Sequence, residues 1–392
     1  MSAGFFNRTA VGCLFLLSFA CAAGARQSSE PQPRKVLHWG ASGSYALQIN
    51  LVGLPIQHDV IFFYEHLFGK YPRFWNGVAE NGGTPFRANL SAHLTKVSSD
   101  VTKRIPRVDY SGFVVIDFES WHPLWDLCPL AFRQGAVKQE RSANPSLTEA
   151  QATSLARSRH EVAAKEFMVR TIEVCKSIRP QAYWGFFNLP ADGQSAWVSA
   201  TPWLWDACKA FYPAVTVERF GVESGIPGPG QQTIAAYRAR VERAIGTARF
   251  AADGKPVLGV GWLRYPDYNP YYKFQFLSDL DLREHLRHQR EVGADGLIFW
   301  DAINDSTLAA HYSRYAQMNL RPAVERLISE EPSWRYIPGD ANSDGLVNYD
   351  DIFACLSAWG RDYRPVTGLG DANLDGLVDF SDLIDITSQM SP

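Results

Sequence analysis

Residues Gly112 to Trp125 read GFVVIDFESWHPLW, an apolar run that drives straight into two acids, Asp117 and Glu119, and then into tryptophans. Such a run predicts a buried strand over Phe113 to Phe118 that ends in carboxylates. Side chains alternate across a strand, so residues two apart share a face, which sets Asp117 and Glu119 side by side with Cα atoms roughly 6–7 Å apart. Two like charges that close do not both ionise cheaply. One holds its proton to a higher pH than a free carboxyl does, and a raised carboxyl pKa is what a general acid needs near neutrality. The ordinary alternative is that both acids pair with Arg or Lys at a strand end.

Working outward, the chain from Lys35 to about Leu320 alternates short apolar strands with longer helical stretches, the pattern of βα units. Candidate strands are Val36 to Trp39, Val60 to Tyr64, Phe113 to Phe118, Ala182 to Phe187, Val215 to Arg219, Val257 to Trp262 and Leu297 to Trp300. They predict an α/β fold, a (β/α) TIM-like barrel. The clearest helix starts at Ser146, with Glu149 completing a capping box, and runs to Ile178 before Pro180 stops it. Ala164, Phe167, Met168, Ile172, Cys175 and Ile178 form its apolar, core-facing stripe. In such barrels the chemistry sits at the C-terminal ends of the strands, where Asp117, Glu119 and Trp300 all fall.

Composition bounds the rest. At 392 residues, 46% hydrophobic and 20% charged, the chain is long enough for one large core plus something small. A net charge of −3 argues against nucleic-acid binding, which leaves a basic footprint. Twelve Trp and sixteen Tyr supply faces that stack on sugar rings or pack as ordinary core. Residues 1–25 have the form of a signal peptide: Arg8 precedes an apolar run from Val11 to Ala23, and Ala23-Gly24-Ala25 is a small-x-small cleavage site. Residues 26–34 follow as a linker. The chain is therefore expected to be secreted or surface-bound, with no membrane span, since no later segment reaches the roughly 20 apolar residues one requires. Cys21 fits a lipoprotein signal poorly. The remaining cysteines, Cys128, Cys175, Cys208 and Cys355, form no metal-type pair; one disulfide is compatible with them, with unreadable pairing.

The C-terminus carries an independent signal. GDANSDGLVNYDD at Gly339 to Asp351 and GDANLDGLVDFSD at Gly370 to Asp382 are near copies, each followed by a short apolar helix pattern. Their oxygen-bearing residues fall at the positions of an EF-hand-type calcium loop, with Gly where that loop turns sharply. The first offers Asp340, Asn342, Asp344, Asn348 and Asp351 with the Leu346 carbonyl; the second offers Asp371, Asn373, Asp375, Asp379 and Asp382 with the Leu377 carbonyl. Two bound Ca2+ ions are the expected cofactor of this region.

Several segments in order resemble the hyaluronidase family of glycoside hydrolases: FFYEHLFGKYPRFW with NGGTP at Asn81 to Pro85, VVIDFESWHPLW, KEFMVRTIEVCKSIRPQAYWGFF, and GADGLIFW at Gly293 to Trp300. The resemblance implies a barrel over residues 35–321 with a groove across its C-terminal face, and hydrolysis next to an N-acetylhexosamine of a polysaccharide such as hyaluronan or chondroitin. It implies Glu119 as proton donor, Asp117 as holder of the acetamido group, and Trp300 as part of the wall beneath the acetyl; Trp121 joins them as a candidate sugar contact. Acids on one face of one strand do not flank a glycosidic bond from opposite sides, so the nucleophile is expected to be the substrate's own acetamido carbonyl, with retention of configuration.

The chain departs from the family pattern where Phe187 and Thr216 replace tyrosines around the acetamide, and Asp192 stands near a cysteine position. Tyr183, Tyr212 and Tyr265 are other sources of a hydroxyl, and Arg219 and Arg264 the candidate cations for a polyanion. Residues 339–390 resemble a type I dockerin module, which implies a small all-α calcium-binding domain docking on a cohesin-type scaffold, joined by a connector over 322–338. A barrel that has lost turnover with Phe187 and Thr216, and survives as a docked carbohydrate-binding protein, is the alternative.

Overall fold

The computed structural model describes residues 36–190, 195–217, 219–220, 231–232, 234–267, 269, 272–330, 339–341, 347–360, 370, 372–373 and 377–390. The expected signal peptide and linker, Asp192, and the loop residues Asn342, Asp344, Leu346, Asp371 and Asp375 lie outside them.

Parallel strands form the staves of a barrel. Val36–Trp39 pairs with Gly296–Phe299, which pairs with Leu258–Gly261. On the other side Val60–Tyr64 pairs with Phe113–Asp117, and that strand with Tyr183–Phe186. The stretch from Phe211 to Ala214 bridges the two halves, linking to Phe187 through Tyr212 and to Val257 and Val260 through Phe211 and Ala214. The expected stave at Val215–Arg219 therefore lies earlier in the chain. The reason is a register set by the interior, where Ala210 and Tyr212 pack inward.

Alternation along each stave divides the core in two. Val60, Phe62, Phe113, Val115, Tyr212, Leu258, Val260 and Ile298 fill the barrel, with Tyr64, Trp300, Tyr183 and Phe187 packed against them. The intervening Phe63, Val114, Ile116, Trp184, Phe186, Leu297 and Phe299 face the outer helices. The longest of these, Glu149–Ile178, buries Ala164, Phe167, Met168, Ile172 and Cys175 as the periodicity predicts. Its cap is Thr148 with Gln151, two residues later than Ser146 with Glu149, because the Ser146 hydroxyl is taken by Asn144 Oδ1 at 2.6 Å.

The expected connector over 322–338 is partly a correction as well. Arg321–Glu330 is helical and buries Ala323, Val324 and Leu327 in the main core, so the large unit extends at least to Glu330. The four cysteines are free, buried thiols, and the allowed disulfide does not form. Among the described residues no helix is long and apolar enough to cross a membrane.

The C-terminal repeats give one helix each, Tyr349–Ser357 and Phe380–Gln389. Both start with the same capping box, Asn348 with Asp351 and Asp379 with Asp382. Their loops pair crosswise, Gly370 N donating to Ala341 O at 3.0 Å and Gly339 N to Ala372 O at 3.4 Å. Ala341, Cys355, Ala358, Ala372, Val378 and Ile386 close a small separate core.

Gly185 is where the barrel tolerates no side chain: a Cβ there would sit 2.1 Å from the backbone carbonyl oxygen of Ala210. Backbone cannot step aside as a flexible side chain can, so Gly185→Ala is expected to destabilise the barrel by about 3 kcal/mol. Urea unfolding measures it; an unchanged midpoint contradicts the close packing of this stave against its neighbour.

Candidate active site

The C-terminal mouth of the barrel opens into a groove of about 1220 Å³, and both Asp117 and Glu119 line it. Asp117 is the last residue of its strand and half-buried, whereas Glu119 lies just beyond the strand and is exposed. Glu119 makes no ion pair among the described residues. What fixes it is its backbone: Glu65, which follows the Val60–Tyr64 strand, accepts the N–H of Glu119 at 3.1 Å and that of Ser120 at 3.0 Å on one carboxylate oxygen. The other oxygen accepts the Ser120 hydroxyl at 2.7 Å and Arg73 Nη1 at 3.0 Å.

Both acids are pushed toward the protonated form. Asp117 rises to about 8 because burial strips its water, and the negative charges of Glu119 and then Glu65 add to the effect. Glu119 rises through desolvation and the charge of Glu65, opposed by its side-chain hydrogen bond with Asp117. Held this close, the two carboxylates titrate as a pair that keeps a proton to higher pH than a free carboxyl does. Asp117 is the deeper of the two, and its Oδ1 has no hydrogen-bond partner among the described residues.

Of the other expected contacts, Trp300 alone lines the groove. Its indole Nε1 donates to the Tyr64 hydroxyl at 2.7 Å. Trp121 turns inward, stacked on Tyr71 at 5.2 Å and donating to the Pro72 carbonyl at 2.8 Å, so it is core. Arg264 is 7% exposed and locked to Asp301 by two contacts of 2.6 Å, leaving it no freedom to meet a polyanion. Tyr183 begins its strand beside Phe113, at the opposite end of the barrel from Asp117. Tyr212 gives its hydroxyl to the Tyr183 carbonyl, and Tyr265 to Asp281, so neither reaches the groove. Phe187 packs on the barrel interior, and Thr216 is half-buried; neither lines the groove. The Arg219 side chain lies outside the described residues.

The residues the sequence reading passed over are Tyr64, Glu65, Arg73, Lys103 and Arg104, all on the groove wall. Tyr64 ends a barrel strand, which is the signal that could have found it. Lys103 and Arg104 end the helix Leu90–Arg104, and only tertiary packing brings them to the groove wall.

Comparison with known proteins agrees with this architecture. The family profile for hyaluronidase, glycoside hydrolase family 56, matches residues 45–201. The chain is 30% identical over 275 residues to hyaluronidase of Apis mellifera, covering 64% of this chain and 69% of that protein. It is 29% identical over 304 residues to hyaluronidase PH-20 of Rattus norvegicus, covering 70% of this chain but 57% of that protein. The crystal structure of bee venom hyaluronidase in complex with a hyaluronic acid tetramer superposes with a TM-score of 0.65 at 24% identity, over 75% of this chain and 99% of that one.

The raised pKa of Asp117 makes a stability prediction. Its folded value of about 8 exceeds the ordinary 3.8, so its stabilising contribution is complete below that ordinary value and is lost as pH rises through about 8. Asp117→Asn removes the buried charge and is expected to raise the melting temperature by a few degrees above about pH 8, the gain shrinking toward about pH 4. A gain independent of pH in thermal melts would contradict a buried, proton-holding Asp117.

Proposed function

Because the chain belongs to the hyaluronidase family of glycoside hydrolases, we propose that it is a secreted endo-acting enzyme. It cleaves a glycosaminoglycan next to an N-acetylhexosamine by retaining, substrate-assisted catalysis. The observation that carries this reading is the one-sided acid pair. Asp117 and Glu119 share a proton and a wall, while the other carboxylates of the groove are occupied, Glu65 by two N–H groups and Arg73, Asp100 by Lys96 and the N–H of Gly69. With no free carboxylate opposite among the described residues, a two-acid displacement lacks its nucleophile. The acetamido carbonyl of the sugar supplies it.

The shared proton then has a defined path. An acetamido N–H donating to Asp117 stabilises its ionised form and leaves the pair's proton on Glu119. Glu119 delivers it to the leaving glycosidic oxygen as the acetamido oxygen bonds to the anomeric carbon, and Asp117 stabilises the positive charge that develops on the closing ring. Glu119 next takes a proton from water, whose oxygen attacks the anomeric carbon and reopens the ring with retention. Tyr64, held by Trp300, offers the hydroxyl that Phe187 and Thr216 lack. Lys103 and Arg104 are the cations of the groove lining that can meet the carboxylates of a uronate polymer such as hyaluronan or chondroitin. The hyaluronic acid tetramer bound by the bee venom enzyme supports this substrate class.

For the C-terminal repeats the reading is a dockerin-like module that holds two Ca2+ ions and docks on a cohesin-type scaffold. Carboxylate and amide oxygens are the donors a hard cation takes. Asp340, Asp351 and Asp382 are carboxylates at most 1% exposed, in a stretch from Gly339 to Met390 that carries ten Asp against two Arg. Calcium bound there would neutralise the acidic loops that lead into the two capped helices.

Two experiments test these readings. Glu119→Gln is expected to cut the release of new reducing ends from hyaluronan or chondroitin by about 100-fold or more. Wild-type activity should fall on its alkaline side near pH 8, and Glu65→Gln should move that limb downward by removing a charge that raises both carboxyls. Binding of these polymers without any cleavage by the wild-type protein would favour the turnover-deficient alternative. For the module, scanning calorimetry with and without a chelator should show loss of a low-enthalpy transition on calcium removal; superimposable traces count against bound calcium.

A further inference from the structure

A second hollow of about 970 Å³ adjoins the catalytic groove, and the two share Trp75. Ser120, next in sequence to Glu119, lines this second hollow. Trp75 is a large apolar side chain left 57% exposed. A lone exposed tryptophan is unremarkable, but this one is built into a rigid mount. Arg73–Trp75 and Val78–Glu80 form a hairpin closed by the two residues Asn76 and Gly77, with φ of 49° and 76°. Positive φ at both positions is what a tight two-residue turn requires, and Asn-Gly adopts it readily. Phe74, on the opposite face of the hairpin, packs edge-on against Phe132 of the helix Leu130–Ala143 at 5.9 Å. The Arg73 guanidinium sits 4.8 Å from the Trp75 ring, and the same Arg73 pairs with the Glu65 that holds the Glu119 backbone.

The lining of the hollow has a definite chemical bias. It contains two cations, Arg87 and Lys138, together with the amides of Asn76, Gln134 and Gln139, and no carboxylate. Arg87 shares Glu140 with Arg159, whereas Lys138 is exposed and has no carboxylate partner among the described residues. Cations and amides around an aromatic plane suit an anionic sugar chain, whose ring faces stack while its charged groups meet the ammonium and guanidinium.

We propose that this hollow is an accessory binding site for the part of an anionic polysaccharide that runs on from the scission point, with Trp75 as the stacking step between groove and hollow and Lys138 as the partner of the polymer's acidic groups. The inference rests on the hydrolase reading above and deepens it: the enzyme grips long acidic chains better than short ones.

The test uses the full-length protein carrying Glu119→Gln, so that ligand survives, and titrates a hyaluronan tetrasaccharide and a dodecasaccharide by calorimetry. The dodecasaccharide is expected to bind more tightly, and Trp75→Ala or Lys138→Glu to reduce the ratio of long-chain to short-chain affinity about tenfold, the loss of one good stacking or charge contact. Lys138→Arg is expected to keep the ratio, which separates a charge contact from a packing defect. If both oligomers bind and the ratio is the same in all these variants, the accessory site is overturned while the hydrolase reading stands. If neither oligomer binds, both fall together.

Discussion

The groove depends on one carboxylate that takes no direct part in the proposed chemistry. Glu65 gathers two backbone N–H groups, a hydroxyl and a guanidinium onto its two oxygens. Hydrogen bonds to a charged acceptor are stronger than neutral ones. They turn the chain sharply after the Phe113–Asp117 strand and present Glu119 to the groove when strand pairing no longer constrains it. The same charge adds to burial in raising the pKa of both acids, so one side chain fixes the loop and contributes to the protonation of the site.

Arg73 extends that control outward. It pairs with Glu65 at 3.0 Å and with Glu80 at 2.8 Å, and lies over Trp75. A shift of the hairpin is thereby coupled to the loop that carries the acid. Another buried charge is handled separately: Asp301 is satisfied by Arg264 and Tyr312. A charge left unpaired at that depth would be costly, and this explains why Arg264 serves the core and not the substrate.

Much of the fold was legible because burial writes itself into sequence. Strands that face apolar layers on both sides read as near-continuous hydrophobic runs, and the staves at Val36, Val60 and Phe113 stand where those runs are. The stave at Phe211–Ala214 was misplaced because Pro213 interrupts its run, while the following Val215-Thr216-Val217 has higher strand propensity. Trp121 was misread for a related reason. Period-two alternation holds only while the strand lasts, and the strand ends at Asp117; beyond it, the direction of each side chain is set by what it can pack against, here Tyr71 and Phe167.

The sequence by itself determined the acid pair at the end of an apolar strand, the βα rhythm around it, the family likeness and the duplicated acidic loops. All of these are local patterns, in which spacing along the chain dictates geometry. Tertiary structure decided how strongly burial and Glu65 raise the two acids, that Glu65 and Arg73 anchor the rim, that Arg264 is spent internally, and that Lys103 and Arg104 face the groove. Those properties depend on desolvation and on charges brought together from distant segments, and neither quantity exists until the barrel has closed.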